Sequence, residues 1–220
     1  VEGVYPQGIK PIYRVTMTDG SSTLCCEEHL WSVKTPSDKR RNRPARVLET
    51  RDMLDTMRSA HQHRYEIPVL SQPVHTRKQQ VPVPPYALGL LLGDGCITGS
   101  TTPTFTTSEP ELVQRLSDDL ADLDIEVLQK LGAALDYHAS VRHALLQGLL
   151  DSDGGPVTQS GRTCRIQYST TSPALRDAVV HLTRSLGGVA YTRLRPVATK
   201  RSGWANGHIV EHRHDSYSLD

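Results

Sequence analysis

Alternating apolar and polar positions in IYRVTM, the turn residues TDGSS and a second run ending in LWSV predict β-structure over residues 1–33. Residues 36–46 are polar, basic and broken by proline, a pattern that predicts a loop. In ARVLETRDMLDTMRSA, Val47, Leu48, Met53, Leu54 and Met57 recur at roughly helical spacing, with Thr50 placed to cap a helix from about Arg51. YEIPVLSQPVHT reads as extended pieces interrupted by Pro68 and Pro73. PYALGLLLGDG is then apolar on every side, as a buried helix is, with Pro84 and Pro85 at its start and Gly95 suited to a left-handed cap. CITGSTTPTFTTS predicts a hairpin. PELVQRLSDDLADL predicts an amphipathic helix, with Ser108 as cap and Glu111 three residues on as in a capping box. DIEVLQKLGAAL reads as further helix. SVRHALLQGLLDSDGG is a second apolar helix stopped by glycine. A strand in RTCRIQYST, a helix in SPALRDAVVHLTRSLGG and a strand in VAYTRLRPV follow, and the last twenty residues are polar and fit no clear element.

From Tyr86 onward this order is helix, strands, helix, and then helix, strands, helix, strand, an internal duplication of architecture. The first half is short. Either it is pared down or a segment is missing, and DDLADLDIEV is where a break would fall. The two apolar helices carry matched details. Gly89 and Gly93 lie four apart, and so do Gly148 and Ser152, a spacing that lets two helices cross with their backbones nearly touching. Each helix ends in Asp-Gly, at Asp94 and at Asp153. A carboxylate at a helix C-terminus faces the negative end of the macrodipole, and two brought together repel. A single copy is more simply a capped helix. The matched pair instead fits two carboxylates that share a divalent cation, the arrangement phosphodiester hydrolysis needs.

Composition narrows the class. A length of 220 residues allows one ordinary domain or two small ones. No apolar run approaches a membrane span, and no charged-then-apolar leader begins the chain, so a soluble, cytoplasmic protein is expected. Cys25, Cys26, Cys96 and Cys164 form no CxxC pair, which argues against a zinc site or a disulfide framework. A net charge of +1 is weak for a nucleic-acid binder, but the cations are clustered in DKRRNRPAR and RLRPVATKR. These are either solvated loops or phosphate contacts. The scattered histidines and Trp31 and Trp204 read as surface and packing residues.

ALGLLLGDG (87–95) and LQGLLDSDG (146–154) resemble the two motif copies of the LAGLIDADG homing endonucleases. VPPYALGLLLGDGCI, TPTFTTSEPELV and YSTTSPALRDAVVHLTRSLGG look like the endonuclease of bacterial or phage inteins. VEGVYPQGIKPIYRVTMTDGSSTLCCEEHLW resembles the N-terminal splicing block around its histidine, here His29. The resemblance implies an α+β fold with pseudo-twofold symmetry: two α/β halves joined by a close helix pair, with a β-saddle for DNA, beside a small β-rich, Hint-like splicing segment. The implied divisions are 1–35 for the splicing segment, 36–80 for a basic linker and possible DNA-recognition region, and 81–220 for the endonuclease, in halves of about 81–138 and 139–220.

The resemblance also implies roles. Asp94 and Asp153, with Gly95 and Gly154 beside them, would hold Mg²⁺ (Mn²⁺ able to substitute), each aspartate serving one DNA strand. Lys200 is the candidate assisting base, and Gln167 a candidate near the scissile phosphate or a base edge. Lys39, Arg40, Arg41, Arg43, Arg46, Arg193, Arg195 and Arg201 are the candidate DNA contacts. The partner would be the intein-free double-stranded allele of the host gene, cut by a pseudo-symmetric monomer in the cytoplasm of a bacterium or phage-infected cell.

Two departures stand out. The splicing block's usual T-x-x-H reads C-x-x-H here, with Cys26 before His29. The chain as written begins at Val1 and ends in SLD, so splicing by it alone is not expected. The competing expectations are a DNA binder of the same fold that has lost cleavage, and a splicing module with an incidental nuclease. Retention of both aspartates argues against the first.

Overall fold

The computed structural model of the chain describes residues 3–76, 81–96, 104–121, 138–158, 164–199, 202–205 and 208–220. Two compact units are present, Val1–Ser71 and Gln72–Asp220. The first unit thus runs past the expected splicing segment of 1–35 into the expected basic linker of 36–80. The reason lies in strand pairing, because residues beyond 35 complete the first unit.

In that unit β1 (Tyr13–Thr16) pairs antiparallel with β2 (Ser22–Cys25). Gly20, at φ +82, makes the turn, and the Asp19 carboxylate accepts from Ser21 N at 2.9 Å and Ser21 Oγ at 2.6 Å. β3 (Leu30–Val33) pairs with β4 (Arg46–Glu49). Between them lies a short helix, α1 (Pro36–Arg40), where the sequence pattern had suggested only loop. Thr35 and Asp38 form a reciprocal capping box there, with Pro36 at the first helical turn, and these local bonds outweigh the polar composition. α2 (Thr50–Met53) starts at Thr50 itself, with Glu49 in the cap position. Thr50 is fully buried and its hydroxyl serves the core instead, accepting from Trp31 Nε1 at 2.9 Å. A small hairpin of β5 (Arg58–Ser59) and β6 (Gln62–His63) follows. Val15, Cys25, Trp31, Val33 and Met53 form the core.

Asp38 is the buried charge of this unit, 2% exposed, and it receives two bonds from Arg46 Nη2 at 2.6 and 2.8 Å. The Thr35 hydroxyl and N–H, then Arg46, hold its carboxyl well below the usual carboxylate range. A lowered folded-state pKa gives stability that is complete above the unfolded value, about 4, and lost as pH falls further. Asp38→Asn should therefore speed amide hydrogen exchange over 35–46 at pH 7, and its difference from the wild type should shrink as pH drops below about 4. Equal exchange at pH 7 would refute this.

The second unit is built on α3 (Pro85–Gly93) and α5 (Ala139–Asp153). β7 (Gly95–Cys96) pairs with β8 (Thr104–Phe105), and α4 (Pro110–Leu120) follows. Glu109, not Ser108, occupies the cap of α4, because Pro110 can take the first helical position and fixes the start one residue later. After α5 come β9 (Gly154–Val157), β10 (Arg165–Thr170), α6 (Pro173–Ser185), β11 (Thr192–Arg195), the hairpin β12 (Gly203–Ala205) and β13 (His208–Val210), and β14 (Ser216–Leu219). β11, β14, β10 and β9 form an antiparallel sheet in that order. The unassignable C-terminal stretch thus supplies an inner strand of the sheet. The core gathers Leu88, Leu90 and Leu91 of α3, Leu145 and Leu149 of α5, Val179 and Leu182 of α6, and Tyr168 and Leu219 of the sheet. The architecture is mixed α+β, and no helix among the described residues is long and apolar enough to cross a membrane. The helix expected in DIEVLQKLGAAL lies outside the described residues.

Candidate functional site: paired carboxylates at a helix crossing

α3 and α5 meet backbone to backbone. A Cβ on Gly89 would strike the Leu145 carbonyl oxygen and lie 2.8 Å from Gly148 Cα; one on Gly148 would strike the Tyr86 carbonyl oxygen and lie 2.9 Å from Gly89 Cα. One turn further, a Cβ on Gly93 would lie 2.7 Å from Ser152 Cβ. Contacts advance in the same direction along both helices, so the helices run parallel and their C-terminal ends coincide. Tyr86 ties them together again by donating its hydroxyl to Asp151 Oδ2 at 2.9 Å, with Arg115 of α4 stacked over its ring. Burial first, then the Asp151 bond, pushes the Tyr86 phenol up to about 12.

This crossing brings Asp94 and Asp153 to one place. Asp94 is the C-terminal cap of α3, its N–H bonded to Leu90 O at 3.0 Å, and its side chain is exposed. Asp153 is the last residue of α5 and half-buried. A Cβ on Gly93 would lie 3.6 Å from Asp153 Oδ2, which shows how closely the end of α3 approaches that carboxylate. Burial, then the charge of Asp94, raises the Asp153 carboxyl above its ordinary value. Two negative helix ends point at the same spot and add to this cost. Among the described residues neither carboxylate has an ion pair. The site is thus an all-oxygen pair of acids with no cationic partner among the described residues, and this donor chemistry fits a hard divalent ion completed by water and phosphate oxygens. Among the described residues no group of three or more His, Cys, Asp or Glu converges to hold a metal alone.

Gly95 and Gly154 each start a strand directly after the aspartate. Neither takes the left-handed conformation expected of Gly95; among the described residues the positive-φ glycines are Gly8, Gly20 and Gly187. A side chain at Gly95 would strike the Leu91 carbonyl oxygen, and one at Gly154 would lie 2.5 Å from the Leu150 oxygen. Glycine is needed because the chain folds back against its own helix. α6 supplies the contrast: Gly187, at φ +92, ends it with Gly187 N bonded to Arg184 O and Gly188 N to Thr183 O.

β9 leads from Asp153 into the sheet. Tyr168 of β10 lies opposite Gly154 in the register and is 1% exposed. Burial, then the Asp153 charge, raises its phenol, with Thr170 acting the other way and Asp94 adding a smaller push. Pairing places Arg165, Gln167, Arg193 and Arg195 on the opposite, outer face, with Arg193 and Arg195 exposed. Lys200 and Arg201 lie outside the described residues.

In the first unit, Lys39 is paired with Glu66 at 2.6 Å and Arg46 with Asp38, whereas Arg40, Arg41 and Arg43 are exposed and, among the described residues, free of ion pairs. His29 stacks edge-on against Trp31 with ring centroids 4.8 Å apart. Sequence reasoning missed Asp151, which looked like part of the motif, and Tyr168, read only as strand packing. Their partners are distant in sequence, and no local spacing points to them.

The chain is 28% identical over 206 aligned positions to the replicative DNA helicase DnaB of Mycobacterium intracellulare, covering 81% of this chain and 34% of that protein. It therefore spans about a third of the relative's length. Residues 140–217, which include α5 and its Asp153 together with β9, β10, α6 and β11, match the family described as a LAGLIDADG-like domain, and that match supports the homing endonuclease family.

Proposed function

We propose that this chain is an intein-encoded, site-specific homing endonuclease that makes a Mg²⁺-dependent double-strand break in the uninterrupted allele of its host gene. The observation that carries the reading is the convergence of Asp94 and Asp153 at the shared end of two parallel helices, without a described protein cation. A divalent ion there would offset the developing charge on the attacking and leaving oxygens of an in-line displacement. Asp94 and Asp153, with Gly95 and Gly154 beside them, would hold it, one carboxylate from each half. Lys200 is the proposed basic assistant. The outer sheet face follows the DNA, and Arg193 and Arg195 neutralise phosphates. Both halves lie in one chain, so the enzyme acts as a pseudo-symmetric monomer in the bacterial cytoplasm. The segment shared with the helicase relative is then an inserted element, and the first unit belongs to its splicing part.

The test is direct. The full chain with Mg²⁺ should cut a duplex spanning the uninterrupted junction of the host gene on both strands. A shift of that duplex in a gel with no cutting would favour a binder that has lost cleavage. Binding should also weaken steeply with salt, and Arg193→Ala and Arg195→Ala should each reduce the salt slope by about one. Salt-independent binding would remove these arginines from the interface.

A further inference from the structure

Gln167 does not face DNA unattended. Its Nε2 donates to Asp220 Oδ1 at 2.8 Å, and Arg165 Nη1 lies 3.6 Å from the other Asp220 oxygen. Asp220 is held in turn by reciprocal backbone bonds with Tyr191, each 2.9 Å. A carboxylate only accepts hydrogen bonds, so it can bind the nitrogen end of the amide and never the oxygen end. This fixes which way the glutamine is turned. Among the described residues nothing donates to Gln167 Oε1. On the other side in the register stands Gly155, where an added Cβ would meet nothing within 4 Å. Among the described residues the space beside the glutamine is therefore open to an incoming base edge, and the free group is a hydrogen-bond acceptor.

In the major groove adenine and cytosine present an exocyclic amine as donor, whereas guanine and thymine present acceptor oxygens at the matching place. We propose that Asp220 determines the base Gln167 reads: by occupying the amide nitrogen it leaves the carbonyl oxygen for the groove and selects a base bearing an exocyclic amine. The proposal rests on the DNA-reading role of the outer sheet face given above. An unclamped glutamine turns either way and discriminates little. Gly155 follows Asp153 by two residues, so the base concerned lies close to the cut.

The experiment selects bound duplexes from a randomised pool with the full chain in the absence of divalent ions, and compares wild type, Gln167→Ala, Asp220→Asn and Asp220→Ala. One position should lose its preference in Gln167→Ala, and in the wild type adenine or cytosine should be enriched there roughly three- to tenfold. Asp220→Asn is isosteric and can donate to the glutamine oxygen, so it should flatten that preference or move it toward guanine and thymine. Asp220→Ala should flatten it. Overall affinity should stay within about twofold in both. Guanine or thymine at the Gln167-dependent position, no such position, or an unchanged preference in both Asp220 variants would overturn the proposal. If the wild type shows salt-sensitive DNA binding with no Gln167-dependent position, only this proposal fails. If it binds no duplex, the DNA-cutting function fails as well.

Discussion

Asp153→Asn should abolish double-strand cutting, by at least about 100-fold, while leaving duplex binding in place and making the protein more stable. The stability gain follows from the electrostatics. Asp153 has a raised carboxyl, so the fold disfavours its ionised form. A folded-state pKa above the unfolded one means that the stability present at low pH is lost as pH rises through it. At pH 7 the charged side chain is therefore a net cost, and the neutral amide removes that cost. The variant should melt a few degrees above the wild type at pH 7, and the gap should close below about pH 4. Mg²⁺ should raise the melting temperature of the wild type but not of the variant, since only a ligand bound to the native state shifts it. Asp94→Asn should lose cutting equally. Persistent cutting in both variants would remove the carboxylates from the chemistry. A drop in melting temperature for Asp153→Asn would contradict the charge repulsion.

Gly148→Val carries the largest expected loss of stability. A Cβ there meets the Tyr86 carbonyl oxygen and the Gly89 backbone, and backbone does not move aside as a long side chain does. Overpacking a tight contact ordinarily costs about 1–3 kcal/mol, and a contact that forces two buried helices apart belongs at or above the upper end. Denaturant unfolding should show a correspondingly lower midpoint, or no cooperative transition for the second unit. Gly155→Ala is the control. Nothing lies within 4 Å of its added methyl, and its midpoint should match the wild type within about 0.5 kcal/mol. If Gly148→Val unfolds at the wild-type midpoint, the helices do not cross at these glycines.

How much of this was legible beforehand depended on the range of the interactions. The two Asp-Gly helices could be found because their signal is local and written twice: small residues four apart, then an acid where a helix end disfavours one. The reason for the glycines could not. Gly95 after an apolar helix looks the same whether it turns left-handed, as Gly187 does, or folds back on Leu91. Composition misjudged the first part of 36–46, residues 36–40, because a capping box of two residues outweighs the polar run. β14 was invisible for a different reason. SYSL is too short and polar to read as an inner strand, and becomes one only because β10 and β11 flank it. The contacts of Asp220 and Asp151 likewise join residues dozens of positions apart, beyond any spacing rule.

The position of β14 also sets an order of events during synthesis. β10 and β11 have no partnership with each other; both pair with β14, which leaves the ribosome after them. The helix pair can dock as soon as residue 153 has emerged, but the outer face carrying Gln167, Arg193 and Arg195 stays unassembled until residues 216–219 are free of the exit tunnel. A nascent chain would thus hold its two acids together well before the sheet face that carries Gln167, Arg193 and Arg195 is complete, so that face assembles later than the helix pair it flanks.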